Sequence, residues 1–120
     1  MILVDSSVWV DHLRAGNADL ALLLQNGEVL THAFVIGEIA LGSLRQRDVV
    51  LSAMRGLPAA VRSSDDEVLA FIEGQALFGR GIGYIDAHLL ASVRLTAGAR
   101  LWTRDKRLLQ VASALGVAAE

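Results

Sequence analysis

Short apolar runs alternate along this chain with stretches whose apolar residues recur every three or four positions, and the alternation predicts strands followed by helices. Ile2-Leu3-Val4 reads as a strand stopped by Asp5, and Val8, Trp9 and Leu13 then share a helix face. A second helix is expected from Asp19 to Gln25, where Leu20, Leu23 and Leu24 lie on one side and Gly27 can supply a left-handed stop. Glu28 to Thr31 follows as a short strand. From Ala33 to Leu44 the apolar residues Phe34, Val35, Ile36, Ile39, Ala40 and Leu41 predict a largely buried helix whose one charged residue is Glu38.

Arg47 to Arg55 is the next expected helix, and Gly56 and Pro58 mark a turn before a weakly signalled strand at Ala59 to Val61. Ser64-Asp-Asp-Glu67 is a capping-box pattern, predicting a helix that runs to about Leu77. Gly79, Gly81 and Gly83 break the chain before an apolar-rich helix from Tyr84 to Leu95 that carries Asp86 in its first turn. Arg100 to Thr103 is a strand followed by Asp105, a helix spans Lys106 to Leu115, and Val117-Ala118 forms a short edge strand. Strands alternating with helices imply a mostly parallel sheet covered on both faces. With no repeat, low-complexity stretch or linker, residues 1–120 are expected to form one domain.

Composition narrows the function. Hydrophobic residues make up 53% of the chain and charged residues 20%, which excludes a disordered chain. No cysteine occurs, so disulfides and thiolate metal sites are ruled out, and a reducing cytoplasm is the expected location. The first apolar run is too short for a signal peptide, and no segment approaches a membrane span. A net charge of -2 argues against a general polyanion binder. A local basic rim remains open: Arg45 and Arg47 form one cluster, and Arg104, Lys106 and Arg107 another, with phosphate recognition and solvated helix faces as equal readings.

The candidate chemistry lies in four carboxylates. Asp5 and Asp105 each follow a predicted strand at its carboxyl end, where open parallel sheets bind ligands. Glu38 and Asp86 each interrupt an apolar helical stretch, where an unpaired charge needs compensation. Each acid alone has an ordinary explanation: Asp5 and Asp105 as helix caps, Asp86 as a favourable charge at a helix N-terminus. Convergence on one divalent cation explains all four, because Mg²⁺ and Mn²⁺ prefer hard oxygen ligands. His12, His32 and His88 lack the spacing of a zinc helix motif, and they and the tryptophans Trp9 and Trp102 are read as structural.

Asp5 after Ile-Leu-Val with Ser7 two residues on, Glu38 in Val-Ile-Gly-Glu-Ile-Ala-Leu-Gly, Asp86 in Gly-Tyr-Ile-Asp-Ala-His-Leu-Leu-Ala and Asp105 in Leu-Trp-Thr-Arg-Asp-Lys-Arg-Leu resemble the acidic motifs of PIN-domain nucleases. The order and completeness of the set cover nearly the whole chain, and its shortness is similar to the VapC-type toxins of type II toxin-antitoxin systems. The resemblance implies a three-layer α/β/α sandwich, Mg²⁺-dependent endonucleolytic cleavage of RNA with Mn²⁺ as a substitute, inhibition by a cognate VapB-type antitoxin, and a homodimer. It makes Asp5, Glu38, Asp86 and Asp105 the acidic site. Asp5 and Asp86 become the principal metal ligands with Asp105 beside them, and Ser7 and Thr103 become polar supports. Ala87 to Ala91 contain no further acid, which favours one metal over two.

Three other readings compete. A receiver-type phosphoacceptor domain has a similar length, and Asp48-Val-Val-Leu-Ser-Ala-Met imitates its central strand, but its phosphoacceptor position falls on Ser52. A haloacid-dehalogenase-type phosphatase would need an aspartate where Ser7 stands. A non-catalytic PIN-like binding domain would not need four intact carboxylates.

Overall fold

The structure is a computed structural model that describes residues 1–119. Three strands, β1 (Ile2–Val4), β2 (Val29–Leu30) and β3 (Arg100–Trp102), form a parallel sheet in the order β2-β1-β3, with Leu3 opposite both Leu30 and Leu101. β1 is central, and its Leu3 and Val4 are fully buried. The chain moves one way from β1 to β2 and returns past β1 to reach β3. Right-handed crossovers in opposite directions put their helices on opposite faces, giving the α/β/α layering.

The helices are α1 (Ser6–Ala15), α2 (Ala18–Gln25), α3 (Ala33–Ala40), α4 (Arg47–Arg55), α5 (Asp65–Gly74), α6 (Tyr84–Leu95) and α7 (Lys106–Ala114). Val8 and Trp9 of α1, Val35 and Ile39 of α3, Leu89, Leu90 and Val93 of α6, and Leu108 and Val111 of α7 join the strands in one core. Val68, Ala87 and Ala91 make a smaller cluster that seals α5 onto α6.

Four expectations change. The strand expected at Ala59 to Val61 is one bridge from Ala59 to Thr31, because the Val61 N–H turns away to the Thr96 hydroxyl at 2.9 Å and the ladder stops. Val117-Ala118 likewise contributes only a bridge from Ala118 to Leu101. The helix expected from Ala33 to Leu44 ends at Ala40, where the Arg47 guanidinium reaches the carbonyls of Ala40 and Gly42. It is also less buried than expected, since only Val35 and Ile39 are enclosed while Leu41 is 90% exposed.

The helix expected to reach Leu77 ends at Gly74. The Leu77 N–H bonds the Ile72 carbonyl at 3.0 Å and the Ala76 N–H bonds the Glu73 carbonyl at 3.2 Å, a Schellman stop that drops Leu77 into the core. The capping box at the other end of α5 is present as read: Ser64 Oγ accepts from Glu67 N at 3.1 Å, and Glu67 Oε1 accepts from Ser64 N at 2.9 Å. The stretch that imitates a receiver's central strand lies in α4, which removes that reading's scaffold.

Candidate active site

Asp5 stands at the carboxyl end of the central strand, where its N–H donates to the Trp102 carbonyl at 2.9 Å and its own carbonyl starts α1. Its side chain makes no cap bond to that helix. Instead Asp5 Oδ2 accepts from the Ser7 and Thr103 hydroxyls, both at 2.8 Å. Each hydroxyl in turn accepts a backbone N–H at 3.0 Å, Ser7 from Arg104 and Thr103 from Asp105. A hydroxyl has one proton to give, so these four bonds fix both proton directions and tie the end of β1 to the turn after β3. Asp5 is 5% exposed, with one oxygen saturated and the other, Oδ1, met only by Ser6 Oγ at 3.4 Å.

The other three acids approach the same end of the sheet from helices. Asp105 Oδ1 accepts from the N–H groups of Arg107 and Leu108 at 2.9 and 3.0 Å, so this residue does cap α7 while standing at the rim. Asp86, half-buried in the first turn of α6, accepts from Gly83 N–H at 3.0 Å through Oδ2. Glu38 lies on the exposed side of α3. The sequence suggested that Glu38 and Asp86 were the desolvated carboxylates; the fully buried acid is Asp5, because α3 encloses only its Val35–Ile39 stripe and α6 begins at the surface.

The charges of these acids act on one another pairwise. Burial pushes the Glu38 carboxyl above its ordinary range, a hydrogen bond from Ser6 opposes this, and the charges of Asp5 and Asp86 add to the rise. Burial likewise pushes Asp86 up, against its bond from Gly83, and Asp5 and Asp105 push it further. Carboxylates that bind protons more readily beside other carboxylates favour a cation or a shared proton. Among the described residues no three His, Asp or Glu side chains come together closely enough to hold a metal ion by themselves. That arrangement fits Mg²⁺, which takes one or two carboxylates and keeps its remaining positions for water and phosphate.

The histidines and tryptophans serve the scaffold. His12 Nδ1 accepts from Asn17 N–H at 3.0 Å. His32 is buried, its Nδ1 capping α3 through the Phe34 N–H at 3.0 Å and its Nε2 lying 3.1 Å from Ser92 Oγ on α6. Trp9 is in the core and Trp102 is half-buried.

Sequence reasoning missed three partners. Ser6 touches Asp5 and bears on Glu38, a role that its place beside Asp5 could have suggested. Asp11 pairs with Arg104 at 2.8 Å, joining α1 to the turn after β3, and no local pattern marks that pair. Asp65, read only as part of a cap sequence, accepts on one oxygen from the Tyr84 hydroxyl at 3.0 Å and lies 3.2 Å from Nε2 of buried His88, so it anchors the first turn of α6.

Comparison with known proteins identifies the family and the fold. The PIN domain family matches residues 2–114. Ribonuclease VapC32 of Mycobacterium tuberculosis, from two strains, is 52% identical over 118 residues, covering 98% of this chain and 95% of the relative. Among solved structures, FitAcB from Neisseria gonorrhoeae superposes with a TM-score of 0.64 at 22% identity, covering 98% of this chain and 95% of that one. PAE2754 from Pyrobaculum aerophilum superposes with a TM-score of 0.59 at 21% identity, covering 92% and 78%. At these identities the two structures speak for the fold alone.

Proposed function

The chain belongs to the PIN domain family, and from that premise we propose that it is a VapC-type endoribonuclease toxin that cuts RNA at Asp5, Glu38, Asp86 and Asp105 with a bound Mg²⁺. The observation that carries the site assignment is the Asp5 carboxylate at the end of the central strand, one oxygen held by two hydroxyls and the other left open, beside which Glu38 and Asp86 bind protons more readily. Asp5 and Asp86 hold the cation and Asp105 stands beside them. A divalent ion bound there supplies positive charge to the scissile phosphate and makes water a better nucleophile. Ser7 and Thr103 orient Asp5, and a preset carboxylate needs no reorganisation when charge develops on phosphorus oxygens. Glu38, with its raised affinity for protons, orients the attacking water and accepts its proton.

Labelled RNA incubated with the purified protein and Mg²⁺ is expected to be cut internally, with activity lost in EDTA and restored by Mg²⁺ or Mn²⁺. Asp5→Asn keeps an acceptor for both hydroxyls, so it is expected to fold while cleaving at least about 100-fold more slowly. Activity that persists in EDTA, or an undiminished Asp5→Asn variant, rejects the metal-site reading.

The same proposal includes a cognate VapB-type antitoxin and a homodimer. A groove of about 700 Å³, lined among others by Val10, Leu13, Ile39, Leu44 and Val50, has Glu38 at its lip. An apolar antitoxin segment seated there would cover Glu38 at one side of the acidic site and hinder RNA there. Leu69 and Phe78, 53% and 62% exposed, offer apolar surface of the kind a second copy buries. Light scattering on the purified chain is expected to give twice the monomer mass.

A further inference from the structure

The basic residues near the acidic site divide into engaged and unengaged. The Arg47 guanidinium ends α3 on the carbonyls of Ala40 and Gly42, and Arg104 is paired with Asp11 at 2.8 Å. Arg107 differs. Its backbone N–H is fixed by Asp105, but among the described residues its guanidinium makes no hydrogen bond or ion pair.

This exposed side chain lies across Gly81. A Cβ at that position would come within 2.7 Å of Arg107 Cδ and 2.9 Å of Nη1, and Gly81 has φ +79°, a conformation that L side chains rarely adopt. Gly81 is two residues before Gly83, whose N–H holds Asp86. Arg107 therefore spans the two segments that carry Asp86 and Asp105, with its donors unused.

We propose that Arg107 holds a backbone phosphate of single-stranded RNA beside the scissile bond, and that Gly81 lacks a side chain so that the guanidinium can lie there. The inference rests on the ribonuclease reading. A chain of net charge -2 with four clustered acids repels RNA unless a cation stands at the rim. The guanidinium fork matches two phosphate oxygens, and Arg107 has its donors free for them.

The test is fluorescence anisotropy of a labelled single-stranded RNA oligonucleotide, with Ca²⁺ replacing Mg²⁺ to slow turnover, between about 50 and 200 mM salt. Arg107→Gln is expected to weaken binding about tenfold and to reduce the slope of log affinity against log salt by about 0.7, the value for one phosphate contact on a single strand. Arg107→Lys keeps the slope and loses part of the affinity, because charge survives and the fork does not. Gly81→Val displaces the guanidinium and reproduces the affinity loss with the charge intact.

Unchanged affinity and slope in Arg107→Gln, with wild type still cleaving RNA, overturn this inference alone. So does an affinity loss accompanied by an equal loss of Mg²⁺-induced thermal stabilisation, which would make Arg107 a support of the acids. Wild-type protein that neither binds nor cuts RNA overturns both readings.

Discussion

Two carboxylates at this site are held by hydrogen bonds in different ways. Asp5 gives one oxygen wholly to Ser7 and Thr103 and keeps the other open, while Asp86 takes one N–H from Gly83 at the mouth of the same site. Neither arrangement relieves the charge among the acids, since burial and the neighbouring carboxylates still push Asp86 up. Asp86→Asn is therefore expected to raise the melting temperature of the metal-free protein by about 2–4 °C, because the amide oxygen can still accept from Gly83 and one repulsive charge is gone. Mg²⁺ is expected to stabilise wild type more than this variant, through binding to the native state alone. Thermal melts with and without Mg²⁺ check both statements, and equal metal shifts would remove Asp86 from the ligand set.

Elements end here for reasons that a single residue can reverse. After α2 a left-handed Gly27 (φ +67°) lets the Glu28 N–H bond the Leu23 carbonyl at 3.0 Å, and α5 stops by the same pair of bonds with Ala76 in the glycine's place at φ +51°. An alanine in that region costs about 1–2 kcal/mol, and the extra freedom of a glycine in the unfolded chain offsets part of this. Ala76→Gly is thus expected to raise the melting temperature by a few degrees, measured by circular dichroism; a lower value would mean that α5 is not held by this stop. The strong start of α5 was readable from Ser64 and Glu67, but its end was not. Ala76 carries no left-handed signal, and only the pull of Leu77 into the core sets the stop.

Across the whole molecule, pH acts on stability through groups of opposite sign. His32 is held near pKa 4 by burial first, with the charges of His88 and Arg62 adding to the effect, against 6.5 when unfolded. The unfolded chain therefore binds the proton more readily, and the stability that neutral His32 provides above pH 6.5 is lost as pH falls towards 4, by roughly 3 kcal/mol. Glu38 and Asp86 are shifted up, so in metal-free protein their contribution runs the other way, growing as pH falls through their raised pKa values. Denaturant unfolding between pH 7 and pH 4 is expected to show net loss in wild type. His32→Asn retains a capping side chain for α3 and should flatten that loss; an unaltered profile would assign it to other groups.

The sequence by itself determined the order of the three main strands and the helices and the parallel sheet, and it singled out four acids as candidates, because apolar periodicity and charges that interrupt it are local signals. Asp5, Asp86 and Asp105 could be placed at element ends from their neighbours alone. Only the tertiary structure decided that Asp5 is the buried acid and that its partners are Ser7 and Thr103, 96 positions apart in the chain. It also decided which arginines are already engaged and that Gly81 seats Arg107. Hydrogen-bond direction, burial and the repulsion between distant charges depend on distances that chain folding creates, and no run of neighbouring residues encodes them one at a time.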